Sequence, residues 1–471
     1  VFGLRTVVRG SVLVRVFFLM MLRPPRSTQS RSSAASDVYK RQKVDLVICL
    51  SHGGLNDDPR KSEDELLARK VKGIDVIVSG HTHTKLDKPI HVNGTIIVQA
   101  WCYGKQVGVL DVAVNSGKVQ LKKYTVVPVN ASITGDENIQ AMIDAFKQMI
   151  NHRLLAPAHL SYDQVIAETK FDLNIRSEES PLGNLLADSI RWSVNRVSFD
   201  SNDPSSSVAV AVESNGVIRD YLLRGKTGKV GFGDLFRAIP LGIGVDNTMG
   251  YPLISFYLYG FELKRALEIL TSVRPLKSNN DYYLQVSGLR FTYNPRRVYF
   301  DRVTAIEIGS EEEGYRPLDY SRSNRQLYRV AANIYNATFL KNVGRFTYSL
   351  LEIIPKDKNG KPVEKLSAAL VDGDHSLPGI QELKEWEGVL QYVQSLPDTN
   401  VNGIPDVPAK YSGKLGRIVE KPSCNPVHLF SRPAIPTIIV LAAAGVVLLL
   451  IVAAVMVRKG RRLKAKFLRM F

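Results

Sequence analysis

The chain has 471 residues, 45% hydrophobic and 23% charged, enough to bury two ordinary cores and leave an appended segment. Its formal charge of +17 gathers at the ends: residues 1–43 hold nine Lys and Arg against one acid and residues 458–471 hold seven and none, leaving about +2 for the body. A body so nearly neutral has no field to draw in a polyanion, which argues against a nucleic-acid partner, and Cys49, Cys102 and Cys424 are too few for a disulfide framework or a thiolate metal site.

Val12 to Leu22 (VLVRVFFLMML) follows basic residues as the apolar stretch of a signal peptide would. Arg23 to Gln42 then has neither a helical nor a strand period, so residues 1–43 are expected to be a non-native or disordered leader outside the fold. From Val44 the texture changes. VDLVICLSHGG at 44–54 and GIDVIVSGHTHT at 73–84 are β-branched apolar runs that stop abruptly at small residues and histidine. Between them Ser62 to Lys72 has a capping serine, early acids and late bases, a helix signal. The order strand, helix, strand puts His52 beyond one strand end and His81 and His83 beyond the next, where α/β layers build ligand sites. Imidazoles so placed suit Zn, Mn or Fe, and Gly80 permits the tight turn that aims two of them inward. Gln99, at the end of the strand-like TIIVQA, lies near the same place.

Residues 136–152 space Ile139, Met142, Ile143, Phe146 and Ile150 at helical intervals, which predicts an amphipathic connector. Pro181 starts a helix with Leu182, Leu185, Leu186 and Ile190 on its apolar face, and Arg176 lies outside it. Val208 to Val212 reads as a buried strand that breaks into Glu213-Ser214-Asn215-Gly216-Val217-Ile218-Arg219. In that turn Asn215 can hydrogen-bond a heterocycle or ribose, and Arg219 can fork onto a phosphate or carboxylate. Asp398 to Asp406 (DTNVNGIPD) spaces oxygen donors like the start of a calcium loop, with Ala409 where a later glutamate belongs. Finally, Thr437 to Val457 runs 21 residues without a charge, long enough to cross a bilayer. Seven Lys and Arg follow from Arg458 to Arg469, and such a cluster stays on the cytoplasmic side. The basic tail distinguishes the segment from a lipid-anchor signal, which ends in its apolar stretch.

The strand-terminal His52 and the phrase Gly80-His81-Thr82-His83 resemble the closing motifs of the calcineurin-like metallophosphoesterases, and about residues 44–420 together resemble the 5'-nucleotidase and UDP-sugar hydrolase branch of that family. The resemblance implies two divalent metal ions (Zn, Mn or similar), with His52, His81 and His83 as the late ligands. The family's Asp-x-His, Gly-Asp and Asn-His-Glu or Asn-His-Asp motifs are absent from residues 1–51, so no catalytic residue is assigned and this chain is expected to be an inactive, N-terminally truncated piece. The resemblance also implies a substrate site of Arg176, Asn215, Gly216, Arg219 and Tyr335, the last as one of two rings that grip a base. Leu241 stands where the other ring belongs, and Lys341-Asn342-Val343-Gly344-Arg345 lacks the acid of the family's Gly-Gly-Asp turn.

The expected class is α/β and α+β. Residues 44–130 form the C-terminal part of a metallophosphoesterase β-sandwich flanked by helices, 131–158 a connecting helix and 159–420 an α+β substrate-binding domain. One transmembrane helix (437–457) and a basic cytoplasmic tail (458–471) follow. The expected activity of the complete protein is hydrolysis of nucleotide phosphoesters outside the cell; a non-catalytic nucleotide-binding membrane module, and a phosphoesterase for cyclic nucleotides or UDP-sugars, are the alternatives.

Overall fold

The computed structural model describes residues 2–7, 12–19, 44–115, 118–156, 159–175, 178–276, 283–338, 340 and 352–467. They fall into two units, Val1–Ala145 and Phe146–Phe471.

In the first unit, strands β1 (Phe2–Val7) and β2 (Val12–Leu19) precede β3 (Ile48–Leu50), helix α1 (Glu63–Lys70), β4 (Val76–Val78), β5 (Ile90–Val92), β6 (Thr95–Val98), β7 (Gln106–Asn115) and β8 (Lys118–Pro128). The strands form two four-stranded sheets, β3-β4-β6-β5 and β1-β2-β7-β8. β3, β4 and β6 run parallel, as a strand-helix-strand order requires. The side-chain period of two then divides the first sheet's faces: Val76, Ile96 and Val98 pack against Leu110, Val112 and Val114 of the other sheet, while Ile77 and Ile97 pack against Ala68 of α1. The first unit is therefore a β-sandwich with a helix on its outer face. Glu63, Asp64 and Glu65 in the first turn of α1 and Arg69 and Lys70 in the last complement the helix dipole.

Within the expected non-native or disordered leader, residues 2–7 and 12–19 are strands. Val12 to Leu19 pairs in antiparallel register with Val114 to Val107, and Phe2–Val7 pairs with it in turn. An edge strand such as β7 offers unpaired backbone groups, and a run rich in valine and phenylalanine has the propensity to pair with them. Residues 20–43 lie outside the described residues.

Helix α2 (Glu137–Ile150) spans the junction between the units. It has the expected helical spacing, but Ile139, Met142, Ile143 and Phe146 are exposed.

The second unit contains β9 (Val165–Glu168), α3 (Pro181–Ser198), β10 (Val208–Ser214), β11 (Lys229–Gly231), α4 (Phe232–Ala238), β12 (Leu253–Tyr259), α5 (Gly260–Leu276), β13 (Leu284–Ser287), β14 (Leu289–Tyr293), β15 (Val303–Ser310), β16 (Gly314–Pro317), β17 (Leu327–Asn333), α6 (Glu385–Gln394), β18 (Ile418–Glu420), α7 (Pro426–Phe430) and α8 (Ile435–Phe467). Two mixed sheets, β12-β17-β10-β13 and β16-β15-β14-β18, and the pair β11-β9 give the expected α+β layout. Phe256, Leu258, Val286, Phe291 and Ile306 belong to one core that joins the two larger sheets. Leu182, Leu185, Leu186, Leu235, Val389 and Val393 form a second among α3, α4 and α6. Pro181 opens α3 as the sequence predicts, because a proline loses no helical hydrogen bond at that position.

Within α8, Thr437–Val457 is long and apolar enough to cross a membrane.

Candidate functional site

In the first unit the histidines sit where the strands end. β3 stops at Leu50, and Asp64 of α1 steadies the loop from Ser51 to Gly54: its carboxylate accepts from the Ser51 hydroxyl and, at 3.1 Å, from the Gly54 N–H. β4 stops at Val78, and Gln99 holds the next turn, donating to the Gly80 carbonyl at 3.2 Å and accepting from Ser79 Oγ at 3.2 Å. Gln99 is fully buried, so its role is to shape this loop. The two loops meet closely, with Leu55 N donating to Thr82 Oγ1 at 3.0 Å. Gly54, at φ +92°, has no room for a side chain, since a Cβ there would lie 2.5 Å from Thr82 Cγ2.

This contact brings His52 and His81 together, ring centroids 5.1 Å apart. His83 lies edge-on to Tyr103 at 5.2 Å. His81 and His83 both have left-handed backbone, φ 65° and 52°, a conformation non-glycine residues rarely hold and one found often at functional loops; it directs the two rings to different neighbours. Among the described residues, no three His, Cys, Asp or Glu side chains converge as a metal centre requires. Of the three expected ligands, His52 and His81 have neighbouring rings and His83 lies against Tyr103.

The second site lies beyond the end of β10. Asn215 is buried, its Oδ1 accepting from Gln285 Nε2 at 2.9 Å; Gln285 is fixed in turn by donating to the Glu178 carbonyl and accepting from Ser180 N. Arg219 is half-buried, its backbone tied to Ala238 at the end of α4 and its Nη1 3.4 Å from the Gly216 carbonyl. Arg176, expected beside them, and Lys341 to Arg345 lie outside the described residues.

Tyr335 follows β17 and is 51% exposed. A second ring stacks on it, that of Tyr251, with centroids 5.5 Å apart and planes 27° from parallel. The expectation left Leu241 at the second ring position, and the structure supplies the ring from ten residues further on. Residues 241–251 fold back on themselves, with Tyr251 N donating to the Leu241 carbonyl at 3.1 Å and Gly250 N to the Gly242 carbonyl at 3.0 Å. Gly242, at φ +100°, lets the ring lie over the backbone, for a Cβ there would fall 2.4 Å from the Tyr251 ring. The only signal in the sequence was the glycine-rich stretch between Leu241 and Tyr251.

Under the rings lies a pair of acids that the sequence reading missed. Glu213 and Glu385 are both buried. Asn333 Nδ2 reaches Glu213 Oε2 at 3.1 Å and Glu385 Oε2 at 3.0 Å, and Asn336 Nδ2 reaches Glu213 Oε1 at 3.0 Å. Burial pushes the Glu213 carboxyl up, and burial together with the neighbouring Glu213 pushes Glu385 far up. Tyr251 is raised as well, by burial first and then by Tyr335, Glu385 and Glu213, with Arg219 opposing. One neighbourhood thus holds two rings, a guanidinium and a pair of buried carboxyls whose ionisation is disfavoured.

The calcium-like loop has largely occupied its own oxygens. Asp398 accepts from Asn402 N and Gly403 N at 3.2 and 2.7 Å, Asp406 accepts from Thr399, and Asn402 donates to Glu168 at 3.0 Å.

A family model described as 5'-nucleotidase, C-terminal domain, matches residues 164–346, the segment that carries Asn215, Arg219, Tyr251 and Tyr335. The chain is 27% identical to a 5'-nucleotidase of Diplobatis ommata over 65% of its length and 53% of that protein's. It is 28% identical to a snake venom 5'-nucleotidase of Crotalus adamanteus over 60% of its length and 49% of the relative's. It thus spans about half of each. A solved 5'-nucleotidase precursor from Thermus thermophilus has 26% identity and a TM-score of 0.56, covering 83% of this chain and 66% of its own. Motifs, fold and relatives agree: residues 164–346 match the 5'-nucleotidase C-terminal domain, and the chain is similar to 5'-nucleotidases over most of its length.

Proposed function

We propose that residues 159–420 bind the nucleotide of a phosphoesterase that hydrolyses nucleotide phosphoesters, and that Thr437–Val457 anchors it in a membrane with its body on the outer side. The observation that carries this reading is the Tyr251–Tyr335 pair beside Arg219 and Asn215. Parallel rings stack on any flat heterocycle, a guanidinium meets a phosphate or carboxylate, and a buried amide selects by hydrogen bonding. The domain orients a nucleotide through these groups, with Gly216 keeping the turn open next to Asn215. The unbroken apolar run followed by seven Lys and Arg supports the anchor and its direction.

AMP binding tests the site. Tyr335→Ala is expected to weaken it about 10- to 100-fold, since a base stacked on an aromatic ring contributes about 1–3 kcal/mol. The melting temperature should fall by only a few degrees, because the ring is half exposed and gives up one aromatic contact. Arg219→Ala should lower the affinity for AMP more than that for adenosine. Equal binding of AMP by the parent chain and both variants would remove these residues from the site.

Binding without hydrolysis is the second reading, and the absence of the family's early ligand motifs from residues 1–51 favours it for the 471-residue chain. Incubated with AMP and added Zn or Mn, this chain is expected to release no phosphate above the metal-only control. Turnover that His52→Ala abolishes would refute that. Profiles against AMP, cyclic AMP and UDP-glucose distinguish the nucleotide reading from the cyclic-nucleotide and UDP-sugar ones.

A further inference from the structure

The segment joining the second unit to its apolar helix is not a loose tether. Asn294 Nδ2 donates to the Ser423 carbonyl at 2.9 Å, and Ser423 N donates back to Asn294 Oδ1 at 3.1 Å. Arg297, 5% exposed, donates to the carbonyls of His428 and Ser431 at 2.7 and 3.0 Å. Asp301, 1% exposed, pairs with Arg297 at 2.9 Å and caps α8, accepting from Ala434 N at 3.0 Å and the fully buried Thr437 hydroxyl at 2.6 Å. The turn from Asn294 to Arg302 is itself bound to α5, where Ser272 Oγ accepts from Phe300 N at 2.7 Å and Glu268 from Arg302 N at 2.6 Å and Val303 N at 3.0 Å. The first turn of the apolar helix is therefore hydrogen-bonded to the core of the domain.

Such a clasp has a geometric consequence. An apolar stretch starting at Thr437 puts the lipid interface within a helical turn or two of that residue, and whatever is fixed to Thr437 is held at the same level. What lies there is exposed and apolar: Val427 at 71%, Phe430 at 45%, Ile435 at 45% and Tyr299 at 39%. Residues 421–437 contain Lys421, His428 and Arg432 and no acid. Aromatic and aliphatic side chains mixed with cations suit the headgroup layer of a bilayer.

We propose that the second unit stands directly on the membrane, with the 294–302 turn and the 421–435 segment seated among phospholipid headgroups: Val427 and Phe430 enter the interfacial layer and Arg432 meets headgroup phosphates. This rests on the anchor reading above, and the test separates the two. The full chain, with Cys49→Ser and Cys424→Ser to leave only the buried Cys102, is reconstituted in phospholipid vesicles. An environment-sensitive probe is attached at Val427→Cys, at Phe430→Cys or, as a control on an exposed loop, at Val401→Cys. Quenching by lipids brominated near the headgroup is expected to be at least about threefold stronger at 427 and 430 than at 401. Asp301→Asn, which removes the charge but not the shape, should reduce it toward the control. Chain that resists carbonate extraction while its 427 and 430 probes behave like the control overturns the proposal and leaves the anchor standing. Chain that washes off the vesicles overturns both.

Discussion

Replacing Arg417 by methionine is expected to cost the second unit about 3–5 kcal/mol, the usual penalty for breaking a buried ion pair from one side. The guanidinium is 2% exposed and binds two carboxylates at once: Nη1 and Nη2 reach Asp188 Oδ1 and Oδ2 at 2.8 and 3.1 Å, and Nε and Nη2 reach Glu311 Oε1 and Oε2 at 2.9 and 2.8 Å. Asp188 lies on α3, Glu311 just past β15 and Arg417 just before β18, so one side chain ties a helix to two strands of one sheet. Methionine fills the space but leaves Asp188 and Glu311 facing each other. Glu311 is a quarter exposed and keeps some water, which places the effect in the lower part of the range. Arg417→Lys should rescue little, because an ammonium cannot fork onto two carboxylates. Burial alone would raise the Glu311 carboxyl, but hydrogen bonding and charge from Arg417 bring it down to about 2. A lowered acid contributes stability above its unfolded pKa and loses it as pH falls toward the folded value. The gap between wild type and Arg417→Met should therefore be full at pH 7 and shrink from about pH 4.5 downward. Urea midpoints at pH 7 and pH 3 read this directly; matching midpoints at pH 7 would refute the role.

Glu385→Gln is expected to act in the opposite direction and stabilise the protein above neutral pH. Glu385 Oε1 is buried with no partner among the described residues, while Oε2 shares Asn333 with Glu213. An acid with a raised pKa keeps a proton that the unfolded chain has lost, so its stabilising effect is complete below the unfolded pKa and fades as pH rises through the folded one. Glutamine presents an amide N–H toward Glu213 without needing that proton. The gain should grow by at most about 1.4 kcal/mol per pH unit above the unfolded pKa and vanish near pH 4. Melting curves from pH 4 to 9 would show the two proteins meeting at the acid end and diverging upward. A variant less stable throughout would mean that the pair is held in some other way.

How much of this was legible in advance depends on the range of each interaction. Local signals sufficed for the parallel strands ending at His52 and His81, for the proline-started α3 and for the apolar run of α8. They failed where partners are far apart in sequence. Glu213 and Glu385 look like ordinary surface acids until the fold brings β10 and α6 together, and Arg417 gives no hint of Asp188. Tyr251 was missed because only the backbone pairing of residues 241–251 puts it beside Leu241.

The stacked tyrosines are each other's first ligand. A tyrosine pair at 5.5 Å leaves no gap for a base, so an incoming heterocycle must part the rings and replace a contact of about 0.5–1.5 kcal/mol. Flat, wide purines do this readily, smaller pyrimidines less so, and a bare sugar phosphate has nothing to offer in exchange. At the proposed base site, the closed pair would act as a threshold, ranking visitors by the area of their π-face before any hydrogen bond is tried.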